Sequence, residues 1–302
     1  MKIGILHQDL EEDEILFQSS FERLGCEVEL FDVRTSSAAG LTHLDLLFNR
    51  VYASVANREY RDNLNALEVL RSLERAGVSC INSSSATEAD YSKCKAFDLM
   101  KARDVRTPET LLVEAPLDRD SIQRFVEAHG FPLILKRDLG GRSEGVVKAD
   151  SFEFLNKALA GLQRRGSLNN GSSGFILQEF IASVRSYDTR ITVFDGEVLF
   201  THGRSLMAVD GQVPWLAGLS TGGEMIECKP NHEEIELALK ASAAIGAVLN
   251  EVDCVMSAIG PMIIENNPTP NYPKQVVDKR RRILRISERV CRRAAYRTAD
   301  SR

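Results

Sequence analysis

The first eighty residues alternate between short apolar runs and segments in which apolar residues recur at helical spacing. The runs of strand length occupy residues 2–6, 28–31, 44–48 and 78–81. The helical segments occupy residues 12–24 and 59–76, and a glycine, the usual helix C-terminal residue, follows each. Strands that alternate with helices predict a parallel sheet covered by helices, which is an α/β fold. Ligand-binding residues of such sheets tend to follow the strands.

The loops after these strands narrow the choice of ligand. No Gly-x-Gly-x-x-Gly follows the first strand, where residues 7–10 read His-Gln-Asp-Leu, so the nicotinamide-binding fingerprint is absent. Arg50 comes two residues after the third strand. Two interpretations of Arg50 stay open: it binds an anionic group of a substrate, or it is a surface residue in a local salt bridge.

Composition limits the class of protein. A chain of 302 residues has room for about two or three domains. No apolar run approaches the roughly 18 residues of a membrane span, and the N-terminus lacks the pattern of a signal peptide. The six cysteines form no Cys-x-x-Cys pair, which favours free thiols in the cytoplasm. A net charge of −5 gives no support to nucleic-acid binding. We therefore expect a cytoplasmic protein with neither a membrane nor a nucleic acid as partner.

A glycine-rich hairpin is predicted in the middle of the chain. Residues 133–135 form a strand that delivers Lys136, and residues 146–149 form the returning strand. The loop between them contains Gly140, Gly141, Ser143 and Gly145. Glycines let backbone N–H groups approach an anion, and a lysine adds a point charge. The loop could therefore cover a phosphate, or it could be a plain hairpin beside a surface lysine.

Three further segments carry candidate residues. Residues 175–181 predict a strand, which read alone is either a simple core strand or a strand whose Gln178–Ile181 portion binds a purine edge. Asp195-Gly196 is a strong two-residue hairpin turn. Gly222-Gly223 marks a second flexible loop of anion-binding size.

Residues 251–268 predict a second hairpin with three oxygen donors. Asp253 lies on its first strand, Glu265 ends its second, and Asn267 follows two residues later, so the side chains of Glu265 and Asn267 share a face. Two carboxylates and an amide without nearby sulfur or imidazole suit Mg²⁺ or Mn²⁺. Alternatively, these are ordinary polar residues at strand ends.

The C-terminal segment, residues 274–302, is helical in pattern and strongly basic. Its apolar positions, such as Ile283, Ile286 and Val290, predict a buried face. The basic residues are then either a solvated face or a docking surface for an acidic partner.

Taken in order, these motifs resemble the ATP-grasp superfamily, and in particular its RimK-like branch. That branch contains the ribosomal-protein glutamate ligases and the carrier-protein ligases of lysine and arginine biosynthesis. The order is Lys93, Lys136, the glycine loop, Gln178-Glu179-Phe180-Ile181, Asp188-x-Arg190, Arg204, Gly222-Gly223, Asp253 and Glu265-Asn266-Asn267-x-x-Pro270. The resemblance implies an ATP-grasp fold, with an N-terminal Rossmann-like domain (1–88), a central α+β subdomain with a lid (89–178) and a catalytic α+β subdomain (179–302) that together grip ATP.

The resemblance also implies a role for each matching position. Nucleotide contacts would come from Lys93, Lys136, Gly140, Gly141, Ser143, Gly145, Gln178, Glu179, Phe180, Ile181 and Asp188. The ions, Mg²⁺ or Mn²⁺, would be held by Asp253, Glu265 and Asn267. Catalysis would involve Arg204, Lys136, Gly222 and Gly223, and substrate binding would involve Arg50, Arg190, Arg204 and Asn267. The implied reaction is phosphorylation of a carboxylate by ATP, followed by attack of an amine to give an amide, ADP and phosphate.

The sequence departs from the family pattern near the reacting groups. Gly218 stands where an asparagine is expected, and Thr221 stands where an arginine often precedes the two glycines. The substrates would be an amino acid or a peptide, with an acidic carrier protein or peptide as one option. Relatives suggest a dimer or tetramer. A non-catalytic ATP-binding scaffold on the same fold is the alternative function.

Overall fold

The computed structural model describes residues 1–53, 60–141, 145–164, 174–209, 213–219 and 222–300, with the side chains of 296–300 left out. Over these residues the chain forms three sheets with helices packed against them. Along this part of the chain, no helix combines the length and hydropathy of a membrane span.

The N-terminal sheet is parallel, as predicted, with strand order β2-β1-β3-β4. Its strands are β1 (Lys2–His7), β2 (Glu27–Asp32), β3 (Leu46–Asn49) and β4 (Ser79–Ile81). The connecting helices are α1 (Glu12–Arg23), a 3₁₀ turn (Ala38–Leu41) and α2 (Tyr60–Arg75). The aromatic rings of Phe17 and Phe21 on α1 pack on Phe48 of β3, with ring centroids 4.9 and 5.6 Å apart.

The central sheet is antiparallel, with strand order β5-β8-β6-β7. Its strands are β5 (Thr110–Val113), β6 (Leu133–Arg137), β7 (Val147–Ala149) and β8 (Phe175–Glu179), and its helices are α5 (Arg119–His129) and α6 (Phe152–Arg164). The predicted glycine-rich hairpin between β6 and β7 is therefore confirmed.

Two helices, α3 (Ser84–Asp90) and α4 (Lys93–Lys101), link the first two sheets. Residues 82–87 are polar and resemble a turn in sequence, but Ser83 caps α3 by accepting a hydrogen bond from the Ala86 N–H at 3.3 Å. Serine competes for the backbone in turns but also caps helices well. The predicted domain boundaries at residues 88 and 178 fall inside α3 and β8, and they stay predictions.

The C-terminal sheet follows the order β11-β10-β9-β13-β14, and β12 also pairs with β10. Its strands are β9 (Tyr187–Phe194), β10 (Glu197–Met207), β11 (Leu216–Ala217), β12 (Met225–Ile226), β13 (Leu249–Ser257) and β14 (Gly260–Asn267), and α7 (His232–Ala244) packs on it. The predicted turn at Asp195-Gly196 joins β9 to β10, with φ values of 52° and 78°. Both predicted hairpins of this sheet are confirmed.

The last helix, α8 (Lys279–Asp300), packs on α1 of the N-terminal sheet. Ile283, Ile286 and Val290 are fully buried in the same hydrophobic core as Phe17 and Phe21, as the apolar pattern predicted. The basic face is partly solvated, since Arg280, Arg281, Arg285 and Arg292 are exposed. Arg282 is buried, and the ion-paired basic residues of α8 reach Glu12, Asp13, Glu197 and Asp195.

Candidate active site

A cavity of about 510 Å³ is lined by residues from all three sheets and their connecting segments. Its walls include most of the predicted site residues: Lys93, Lys136, Gly140, Gly141, Gln178, Glu179, Phe180, Ile181, Asp188, Arg190, Arg204, Asp253, Glu265 and Asn267. These residues span more than 170 positions of sequence, and the topology brings them into a single pocket. Ser143 and Thr221 lie outside the described residues.

One part of the cavity is an apolar slot beside the end of β8. Phe180 and Trp215 meet edge to face, with ring centroids 6.3 Å apart, and the Lys148 Nζ lies 4.8 Å from the Phe180 centroid. The Gln178 side-chain amide donates to Thr110 Oγ1 at 2.8 Å, which fixes the strand end. Further apolar walls come from Ile134, Ile181, Leu206 and Ile264. A flat ring system fits such a slot.

Two lysines lie where β6 meets the glycine loop. Lys93 begins α4, and its Nζ is 3.4 Å from the Asp138 carbonyl oxygen and 3.4 Å from Glu265 Oε1. The Lys136 Nζ lies 3.4 Å from the Ile264 carbonyl oxygen. Burial lowers the pKa of Lys136 to about 8, against the attraction of Glu265. With Gly140 and Gly141 beside them, these ammonium groups form a region suited to phosphates.

A network of buried charges forms the floor of the cavity on β9, β10 and β13. Arg190 holds Asp253 with two bonds, Nε to Oδ1 at 2.7 Å and Nη2 to Oδ2 at 2.8 Å. Arg204 Nη2 lies 2.7 Å from the same Oδ2, while its Nε donates to Asp188 Oδ1 at 3.1 Å. Burial by itself would raise the pKa of Asp253, but Arg190 and Arg204 outweigh it and hold the pKa at about 2. Asp253 is therefore ionised at any physiological pH.

The predicted metal ligands face one another across β13 and β14, where Asp253 pairs with Glu265 and Glu251 with Asn267. The Asn267 Nδ2 donates to the Glu251 carbonyl at 3.1 Å, so Oδ1 is the side-chain atom able to face an ion. Within the described ranges, no three His, Cys, Asp or Glu side chains form a metal cluster. The donor atoms are hard oxygens, the type of ligand that Mg²⁺ prefers. The protein provides only part of the ion's ligand shell, and an ion that is bound to phosphates takes the remaining ligands from them and from water.

Arg50 occupies a different place from either predicted one. Its side chain is fully buried and does not line the cavity, so the surface interpretation is wrong and direct substrate binding is not supported. Its guanidinium donates to Tyr52 Oη at 2.6 Å and to the Pro270 carbonyl at 2.8 Å, and pairs with Glu14 Oε1 at 3.2 Å. Arg50 therefore links the N-terminal sheet to the segment that follows Asn267.

The remaining glycines differ in their relation to the cavity. Gly145, Gly222 and Gly223 are not part of the lining, whereas Gly218 is. The Gly223 N–H donates to the Gly218 carbonyl at 2.9 Å, and a Cβ on Gly223 would come within 2.9 Å of that oxygen. Any side chain at position 223 would thus displace the Gly218 segment.

Among the lining residues that sequence reasoning missed are Asp90, His202 and Tyr272. Each is buried and carries a polar atom without a protein hydrogen-bond partner in the described part of the chain, as does Trp215. Burial raises the pKa of Asp90 to about 7. Of these four residues, only Trp215 had a sequence feature that pointed to the site, because it lies in the irregular segment before Gly222-Gly223. Strand alternation does not identify a cavity-facing histidine or tyrosine.

Comparison with known proteins agrees with this geometry. The model of the RimK-like ATP-grasp domain matches residues 90–283. A probable alpha-L-glutamate ligase of Xylella fastidiosa (strain M12) is 30% identical over 205 residues, 68% of this chain and 64% of that protein. The chain thus matches just under two thirds of the relative's length.

Solved structures with the same fold are more distant in sequence. The RimK domain ATP-grasp protein of Sphaerobacter thermophilus superposes with a TM-score of 0.69 at 15% identity, covering 94% of this chain and 98% of that one. D-alanine–D-alanine ligase of Bacillus anthracis gives a TM-score of 0.69 at 13% identity, with full coverage of both chains. The fold and the family match together define a protein of the ATP-grasp class. Within that class, the chain belongs to the RimK-like ATP-grasp family.

Proposed function

We propose that the protein joins a carboxylate to an amine at the expense of ATP, through an acyl phosphate, with release of ADP and phosphate. One observation carries the proposal. The apolar slot, the lysine-lined phosphate region and the network of Arg190, Arg204 and Asp253 lie along a single cavity. Such an arrangement can place a nucleotide's γ-phosphate beside a second substrate, which is the main requirement of phosphoryl transfer.

The nucleotide would enter with its base in the slot between Phe180 and the β6 side of the cavity. The backbone of residues 178–181 would bind the base edge, and Lys93, Lys136 and the N–H groups of Gly140 and Gly141 would bind the phosphates. Lys136 has a lowered pKa of about 8, so its ammonium form predominates at pH 7. Bound phosphates favour the charged form further.

Glu265, Asn267 and a remaining lone pair of Asp253 would hold Mg²⁺. When bound, the ion would neutralise charge on the phosphates. Arg204 would face the acyl phosphate. Its Nε and Nη2 are committed to Asp188 and Asp253, so the side chain is held rigidly and Nη1 is the nitrogen available to a ligand. A prepositioned guanidinium stabilises developing negative charge without reorganisation.

The relatives suggest where to look for substrates. Because the Xylella relative is named an alpha-L-glutamate ligase, L-glutamate is the first amine to test. The acid would be an amino acid or the C-terminus of a peptide or carrier protein. Lys274 and Lys279 line the cavity next to Glu12 and Asp13, so the mouth offers both charges to a zwitterionic substrate.

The test is incubation with ATP, Mg²⁺ and a panel of amino acids and short peptides, followed by identification of the nucleotide and the ligated product. ADP release that depends on an acid–amine pair is the expected result. AMP release, or no turnover with any pair despite ATP binding, would contradict the proposal. Lys136→Ala should abolish ADP release. The matched control is Lys101→Ala, at an exposed lysine paired with Glu109 outside the cavity.

A further inference from the structure

Four polar atoms of the cavity lining are buried without a partner in the described part of the chain. Two of them, the Tyr272 hydroxyl and the His202 Nε2, belong to residues that are only 2% and 3% exposed. An unsatisfied buried polar group costs free energy. Both residues line the cavity, so a ligand that bonds to these two atoms would relieve that cost.

The hydrogen-bonding role of His202 follows from its neighbour Arg282. The Arg282 Nη1 lies 3.5 Å from the His202 Nδ1, and a guanidinium can only donate, so Nδ1 carries the lone pair. Burial, followed by the charges of Arg190 and Arg282, lowers the pKa of His202 to about 3. The imidazole is therefore neutral at pH 7, and its proton is on Nε2. The atom left without a partner is thus a donor.

Tyr272 is held so that its hydroxyl has little freedom to find another partner. Its backbone N–H donates to Asp13 Oδ2 at 2.7 Å, and its ring is part of the hydrophobic core that α1 and α8 share. Burial raises its pKa above the ordinary value, so the phenol stays protonated and can donate. Mobile side chains can turn to water, but this one is held in a core cluster at the edge of the cavity that it lines.

The nearby cation strengthens the case for an anionic ligand. Arg282 is buried, its Nε donates to the Val277 carbonyl at 3.3 Å, and its guanidinium stacks 5.0 Å from the Phe200 ring centroid. Its charge acts on both His202 and Tyr272. The facing carboxylates, Glu251, Asp253 and Asp13, are themselves bound to Arg190, Arg204, Lys279 or backbone N–H groups.

We propose that Tyr272 and His202 form a binding subsite for the carboxylate that an amino-acid substrate keeps through the reaction. Two neutral donors beside a buried guanidinium suit a group that only accepts hydrogen bonds, and a carboxylate is such a group. The inference rests on the proposed function. Ligation consumes one carboxylate, and the amine partner retains its own, which this subsite would position.

The kinetic test uses Tyr272→Phe, which removes only an oxygen that has no partner among the residues that the structure describes. The melting temperature should therefore stay unchanged or rise slightly. The KM for the amino acid should rise by about tenfold or more, as expected for a lost hydrogen bond to a charged group. The KM for ATP should not change. An unchanged amino-acid KM would overturn the proposal, and so would a rise in the KM for ATP alone, because the occupant would then be a phosphate.

A pair of substitutions at His202 provides a second test, in which one variant removes the donor and the other retains one. His202→Leu removes the donor, and His202→Gln retains an N–H donor of similar reach. If the subsite is correct, the leucine variant should weaken amino-acid binding and the glutamine variant should recover part of it. Equal losses in both variants, at equal melting temperatures, would show that a donor at this position has no binding role.

A direct binding measurement separates this proposal from the ligase reaction. Titration calorimetry would compare L-glutamate, its α-amide and its γ-amide on the wild-type protein saturated with a non-hydrolysable ATP analogue and Mg²⁺. The subsite requires that one of the two amides bind at least about tenfold more weakly than the acid. Equal binding of all three, or binding of none, would overturn it. Selective binding without any turnover would contradict the proposed ligation and leave the subsite intact.

Discussion

Arg190 and Asp253 face each other directly across β9 and β13, and two parallel hydrogen bonds of 2.7 and 2.8 Å join them. Both side chains are largely removed from solvent. Because Arg204 binds the same carboxylate, a single buried anion orients two guanidiniums of the cavity. The pair is therefore both a structural contact of the C-terminal sheet and the support of the residue that we place at the reacting phosphate.

Removal of the anion should destabilise the protein strongly. Asp253→Asn leaves two buried guanidiniums short of a counter-charge, and breaking a buried pair in this way costs about 3–5 kcal/mol. Urea unfolding at pH 7 would measure the loss. Glu109→Gln, at an exposed pair with Lys101, is the control and should change the free energy of unfolding by less than about 1 kcal/mol. A similar small effect for both variants would contradict the buried network.

The same carboxylate should contribute to acid sensitivity. The folded-state pKa of Asp253, about 2, lies below the ordinary value of 3.8, so its stabilising effect is present above about pH 4 and is lost as the pH falls towards 2. The difference in free energy of unfolding between wild type and Asp253→Asn should thus narrow below pH 4. Urea titrations at pH 7, 5, 4 and 3 would show it; a constant difference would assign the carboxylate an unshifted pKa.

ATP use should weaken on the alkaline side because of Lys136. Its pKa of about 8 means that the free protein loses the ammonium charge as the pH rises through 8, so kcat/KM for ATP should fall above that pH. Lys136→Arg keeps a positive charge throughout and should remove this alkaline limb, even if its activity at pH 7 is lower. Persistence of the limb in the arginine variant would assign it to another group.

Nucleotide binding should be visible in the intrinsic fluorescence. Trp215 is the single tryptophan of the chain, lines the cavity and contacts Phe180. ATP in the apolar slot should change its emission in a saturable way, and Phe180→Ala should weaken that binding by at least about fivefold, since a stacked aromatic contributes about 1 kcal/mol. Trp215→Phe removes the fluorophore and gives the background signal. A saturable calorimetric signal with no fluorescence change would place the base elsewhere.

Arg50→Met should lower stability without a direct effect on nucleotide binding. The variant leaves Glu14 buried without its cation beside three aromatic rings, while Asp13 keeps Lys279, and the expected loss is about 3–5 kcal/mol. Thermal melts would measure this, with Arg34→Ala at a half-exposed pair with Asp32 as control. A stable variant that lost only affinity for the acid would restore the role in substrate binding that its sequence position suggested.

The sequence was most informative where local rules and chain order agree. The glycine turn at residues 195–196, the hairpin that carries Asp253 and Glu265, and the parallel N-terminal sheet all follow from periodicity and turn chemistry. Contacts between segments that are distant in sequence could not be predicted from these rules. Arg50 meets Pro270 across 220 residues, and no local pattern indicates that a strand-end arginine will be buried. His202 and Tyr272 likewise reach the cavity only through tertiary packing.

The packing of α8 on α1 has a consequence for synthesis on the ribosome. Phe17 and Phe21 are made 262 residues or more before the partners Ile283, Ile286 and Val290 that cover them. The nascent N-terminal sheet therefore has an uncovered apolar face until α8 has been translated. We expect a chaperone to attend that face during elongation, and nonsense products that stop before α8 to aggregate or to be degraded.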